Sequence, residues 1–142
     1  MNKKLLIVTP KLKTSGGVAS YWKSIIPVLT KENGLSLQNF QVGGHRMNPL
    51  LVAREYFIFR EKVLARPNLV FLNPSLGFKS FFRDGFFAKH LASKNIPFVV
   101  FFHGWNLDFE KKVDKKYKLF FLNSFGKAKK IFVLSNGFKE KV

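Results

Sequence analysis

Short apolar runs alternate with longer stretches of helical period along this chain, and the alternation predicts its architecture. Strand-like segments stand at residues 5–8, 35–42, 68–72, 97–102 and 130–134. Between them, residues 18–30 place Val18, Trp22, Ile25, Ile26 and Leu29 on one helical face. Residues 50–65 carry Leu51, Phe57, Ile58 and Val63 among charged side chains, with Pro67 just beyond their end. Residues 78–93 and 113–125 follow the same period, and Gly126 is the expected terminator of the second. Strands alternating with helices predict an α/β fold. It is an open, doubly wound, Rossmann-like sheet, mostly parallel, with helices on both faces. With no repeat and no low-complexity linker, residues 1–142 read as one domain. After the fifth strand, Ser135 reads as the N-cap of a helix opening at Asn136. Barely two turns of that helix fit before residue 142, which predicts a piece of a longer protein.

Composition narrows the class. At 46% hydrophobic over 142 residues, a buried core is attainable and disorder is not expected. No apolar run reaches the roughly 18 to 20 residues of a membrane span, and the apolar stretch behind Met-Asn-Lys-Lys is too short for a signal peptide. With no cysteine, a thiolate nucleophile and a cysteine-bound metal are excluded. These features point to the cytoplasm. The charge is lopsided: 25 Lys and Arg against 8 Asp and Glu give +17. Such a field attracts nucleic acid, anionic lipid or phosphorylated small molecules.

In a doubly wound sheet the ligand crevice lies beyond the carboxyl ends of the strands, where strand order reverses. Placing that reversal between the first and fourth strands brings two loops together, residues 11–17 and 103–106. The first ends in Gly16-Gly17 at a helix start, where backbone N–H groups can face an anion or a polar sugar. An ordinary tight βα turn is the other reading of those glycines. The second loop, His103-Gly104-Trp105-Asn106, puts an imidazole right at a strand end. Several other sites are absent. There is no dinucleotide fingerprint, no phosphate loop with Gly-Lys-Ser/Thr, and no acidic residue placed for a receiver domain. His45, His90 and His103 have no metal-ligand spacing, and no Ser-His-Asp set is suggested.

Three stretches, in this order and spacing, resemble the amino-terminal half of GT-B-fold retaining glycosyltransferases, the large group called glycosyl transferases group 1. They are residues 5–21 with the Thr-Ser-Gly-Gly-Val-Ala-Ser-Tyr loop, residues 97–106 with Pro-Phe-Val-Val-Phe-Phe-His-Gly-Trp-Asn, and residues 128–139 with Ala-Lys-Lys-Ile-Phe-Val-Leu-Ser-Asn-Gly-Phe-Lys. The resemblance implies an enzyme that moves a sugar from a nucleotide-sugar onto a glycan or lipid-linked acceptor in surface polysaccharide or glycolipid synthesis. It implies His103 as the catalytic-side residue at the transferred sugar. Thr14, Ser15, Gly16, Gly17, Gly104, Trp105 and Asn106 become substrate contacts, and no cofactor or metal is implied. The family's carboxyl-terminal nucleotide-sugar domain has no counterpart in these residues, so this chain alone is expected to be inactive.

Two basic surfaces add expectations about partners. With Ala88 turned to the sheet beside Phe81, Gly85, Leu91 and Ala92, helix 78–93 gathers Lys79, Phe82, Arg83, Phe86, Lys89 and His90 on its far face. Rings among cations suit an anionic membrane surface, which would make the protein peripheral at its inner face. The other reading has Phe82 and Phe86 meeting another domain or a loop. Lys111, Lys112, Lys115, Lys116 and Lys118 form either a solvated helix face or a recruitment site for a phospholipid or polyprenyl-phosphate acceptor. The rival reading of the whole chain is a non-catalytic basic module that binds nucleic acid or serves as a companion subunit. Against nucleic acid stands the lack of any recognition helix or RNA-binding motif.

Overall fold

The computed structural model describes residues 2–44 and 48–140; His45 lies outside them. In chain order the elements are β1 (Lys3–Pro10), α1 (Gly17–Leu29), β2 (Leu35–Val42), α2 (Pro49–Leu64), β3 (Leu69–Leu72), β4 (Ser75–Leu76) and α3 (Phe78–Ser93). They continue with β5 (Phe98–Phe102), β6 (Gly104–Trp105), α4 (Leu107–Lys112), α5 (Lys118–Asn123), β7 (Lys130–Val133) and α6 (Asn136–Lys139). A π-helical turn, Val113–Tyr117, joins α4 to α5.

All pairings in the main sheet are parallel, in the order β2-β1-β3-β5-β7. Alternation along each strand sends its side chains to two separate cores. Leu5, Ile7, Leu69 and Phe71 meet α1 through Val18, Trp22, Ile25, Ile26 and Leu29, the face that helical period predicts. Leu6, Val8, Val70, Leu72, Phe98, Val100 and Phe102 face the opposite way, toward α2, α3 and the α4–α5 segment. Helices therefore cover both faces of an open, doubly wound, Rossmann-like sheet.

Three expectations need correction. Strand order reverses between β1 and β3, not between the first and fourth strands, because the chain crosses over β1 on the α2 side to lay β3 next to it. The expected helix over residues 113–125 is the later part of a longer helical run that starts at Leu107 and contains the π turn. In α2, Phe57 is 60% exposed, and the anchor is its neighbour-but-one Phe59, fully buried and stacked on Phe87 at 4.2 Å. Fully burying such a ring contributes about 1.5–3 kcal/mol.

The edges differ from the centre. β7 has one strand neighbour among the described residues, and Phe132 and Leu134 beside that edge are 42% and 62% exposed. Ser135 accepts a hydrogen bond from Phe138 N at 3.3 Å and caps α6, as its sequence position predicts.

Candidate functional site

The loop after β1 is built by its own polar groups. Thr14 donates twice to the Lys11 carbonyl, from its backbone N at 3.1 Å and from Oγ1 at 2.6 Å. Gly16 then takes φ 153° and ψ 150°, a region closed to side-chain-bearing residues, and its carbonyl accepts the Ser20 N–H that starts α1. Neither an acidic residue nor a capping side chain occupies the first turn of α1, and a Cβ built on Gly16 or Gly17 meets no atom within 4 Å. Thr14, Ser15, Gly16 and Gly17 are all exposed. The start of this helix is open to solvent.

His103 stands at the carboxyl end of β5, its backbone N–H held by the Pro74 carbonyl at 3.2 Å. Its ring lies over Phe101, 3.9 Å between centroids, and 5.7 Å from the ring of Tyr21, which is one turn into α1 from Gly17. Nε2 is 3.0 Å from Asn73 Oδ1. Asn73, buried at the end of β3, donates from Nδ2 to the Val8 carbonyl of β1 at 2.7 Å. A carbonyl can only accept, so the Asn73 amide is oriented with Oδ1 toward His103, and Nε2 must carry the proton. Nδ1 then holds a lone pair. It has no hydrogen-bond partner among the described residues, and it is not among the buried unpartnered atoms. Desolvation by burial lowers the His103 pKa from 6.5 to about 4, so the ring is neutral near pH 7.

Asn73 thus stitches the ends of β1 and β3 at the point of reversal and holds the imidazole on the next strand. Sequence reasoning passed over it. Its signal was a lone amide closing the apolar run 69–72, just before Pro74. The loops at β1 and β5 do approach one side of the sheet, through Tyr21 and His103, with the end of β3 between their strands.

The rest of the second loop is committed to structure. Gly104 and Trp105 form β6, paired in parallel with Ser75 and Leu76 of β4. The Trp105 indole N–H donates to Glu110 Oε2, and its ring stacks on Phe138 at 4.8 Å. Asn106 caps α4, accepting from Phe109 N at 2.9 Å. The His103 ring is half-buried against Phe101, while Asn106 is exposed. Five surface cavities of about 110 to 610 Å³ lie elsewhere, and none has Gly16, Gly17 or His103 in its lining.

The far face of α3 is not a single outward surface. Phe82 packs beneath the α4–α5 segment, 5.1 Å from both Tyr117 and Phe120. Arg83 is turned inward to buried Asp84, with Nη2 donating to Oδ2 at 2.8 Å. Lys79, Phe86 and Lys89 are the members that remain exposed, and Lys89 Nζ sits 5.7 Å from the Phe120 ring. The geometry corrects the expected face: a helical run that the sequence reading did not place here covers Phe82. Lys111, Lys112, Lys115, Lys116 and Lys118 all point to solvent. Among the described residues, no group of three His, Asp or Glu side chains could hold a metal ion, and no helix is long and apolar enough to cross a membrane.

No protein-family model matches the chain, and no curated protein matches it. Its fold is similar to a crystal structure described as a conserved protein from Enterococcus faecalis V583. The TM-score is 0.54 over 99% of this chain and 97% of that one, at 11% identity. Likeness at that identity speaks for the architecture: an open, doubly wound, Rossmann-like α/β sheet.

Proposed function

We propose that this chain is the acceptor-side domain of a retaining glycosyltransferase that moves a sugar from a nucleotide-sugar to a glycan or lipid-linked acceptor. The observation that carries the reading is the pairing of an uncapped, glycine-started helix with a neutral imidazole whose Nδ1 is open, both at the carboxyl ends of the strands. Free backbone N–H groups at Gly17 and the following turn suit a phosphate or hydroxyl oxygen. A neutral Nδ1 accepts a hydrogen bond from a hydroxyl, which is what a sugar presents in abundance. Thr14 and Ser15 are exposed in the loop that leads to Gly16, which leaves them available to the same ligand. On this reading the donor nucleotide is held by a further domain, and the 142 residues alone turn over no nucleotide-sugar. Exposed Lys79, Phe86 and Lys89 support contact with an anionic membrane that carries a lipid-linked acceptor.

The test is a titration of ¹⁵N-labelled protein with methyl glycosides, nucleotide-sugars and a single-stranded oligonucleotide. The proposal expects saturable shifts at Gly16, Gly17, Tyr21 and His103 with a sugar ligand. Shifts confined to Lys111–Lys118 with the oligonucleotide would favour the basic binding module, for which the +17 charge is the supporting fact. Flotation with neutral and anionic liposomes tests the membrane contact, and equal recovery on both would end it.

A further inference from the structure

At the amino-terminal end of the sheet, away from the crevice, the last turns of α2 and α3 border a cavity of about 470 Å³. Val63 and Ile96 form a buried floor, while Phe57 and Leu64, 60% and 79% exposed, stand at its rim. Three cations line it, Arg60, Arg66 and Lys94, against one carboxylate, Glu61. His90 also lines it, and its pKa is lowered by burial first and then by Arg60 and Lys94, which registers a positive field inside the cavity.

Basic residues commonly sit at helix carboxyl ends, where they offset the exposed carbonyls. That accounts for Lys94, the C-cap of α3, whereas Arg60 lies before the last turn of α2, whose basic residue is Lys62, and Arg66 lies just past its C-cap. The Ala65 carbonyl beside it already accepts from Lys4 Nζ at 3.2 Å. Arg66 takes φ 47° directly after the C-cap of α2, in the left-handed region that disfavours a bulky side chain. Pro67 behind it narrows its backbone further. The equivalent position after α3 is Asn95, φ 53°, a residue that tolerates this conformation. One molecule therefore shows the cheap solution at one helix end and an expensive one at the other. The expensive one sets a guanidinium on the cavity wall.

We propose that this cavity binds an anion carrying an apolar tail, an alkyl phosphate or carboxylate, with its head on Arg60, Arg66 and Lys94 and its tail on Phe57, Leu64 and Ile96. The occupant follows from charge and surface together: three cations need an anion, and an apolar rim left in water gains from a hydrocarbon. The site is independent of the sugar reading at the other end of the strands.

Calorimetry with dodecyl phosphate below its micelle concentration, inorganic phosphate and anionic vesicles tests it. Dodecyl phosphate is expected to bind about tenfold or more tighter than inorganic phosphate, the gain that several buried methylenes supply. Arg66→Asn is expected to weaken dodecyl phosphate about tenfold while the melting temperature stays equal or rises, and Arg66→Lys to keep most of the affinity. Leu64→Gln is expected to weaken dodecyl phosphate and leave inorganic phosphate unchanged. Equal affinity for the two phosphates, an unaltered affinity in Arg66→Asn, or binding to vesicles without binding to the monomeric amphiphile would each overturn the proposal.

Discussion

His103 owes its chemical state to two neighbours that are not themselves ionisable. The Val8 carbonyl orients the Asn73 amide, and the amide in turn fixes which imidazole nitrogen is protonated. Heteronuclear NMR should therefore find His103 as the Nε2–H tautomer with a titration midpoint near 4. Asn73→Ala should release a mixture of tautomers. Asn73→Asp should raise the midpoint, because a carboxylate facing Nε2 favours the charged ring. The sign for stability follows from the depressed value. The contribution of neutral His103 is whole above its ordinary pKa of 6.5 and fades as pH falls toward about 4. A His103→Gln variant should lose less melting temperature than the parent between about pH 7 and pH 4.5, read by parallel thermal melts. Gly16 makes the matching backbone case. With φ 153° it has no L-residue equivalent, so Gly16→Ala should cost about 1–3 kcal/mol in urea unfolding.

Among the elements, α3 best separates what sequence period can and cannot predict. Its inward face, Phe81, Gly85, Ala88 and Leu91, is buried as the period requires. Phe81→Ala should cost about 3–5 kcal/mol by chemical denaturation, whereas Phe86→Ala, at a half-exposed position, should stay within about 0.5 kcal/mol. The far face was misjudged at Phe82 and Arg83 because helical period reports which residues share a side, not what later chain folds over it. Gly85 carries a trace of that cover. A Cβ there would run into the Phe120 ring, so the glycine marks the close approach of α5. The five main strands were legible from their apolar runs, or, in β2, from the alternation of Leu35, Leu37 and the residues between them. The β4–β6 pair was not, since two-residue strands have no period to detect. The π turn at Val113–Tyr117 was likewise not legible in the sequence. The α1 face was read correctly throughout because Val18, Trp22, Ile25, Ile26 and Leu29 meet one uniform surface.

For the molecule as a whole, the order β2-β1-β3-β5-β7 decides where a ligand can reach several strands at once. Loops after β1 and β3 leave the sheet toward opposite faces, and Asn73 spans the gap they leave. The same order leaves four-residue β7 with one strand neighbour among the described residues, with Phe132, Leu134, Lys129 and Lys130 exposed beside it. Such a margin is a template for another strand, and lysines are a common guard against that. With +17 per molecule, mutual repulsion holds copies apart in dilute buffer. Added electrolyte shortens the reach of that repulsion from about 30 Å at 0.01 M to about 3 Å at 1 M. Light scattering should then record growing particles as salt rises, and sooner for Lys130→Val, whereas a flat profile would show the margin is already safe. Storage in concentrated salt, the habitual remedy for a strongly basic protein, would thus remove the safeguard that keeps this one dispersed.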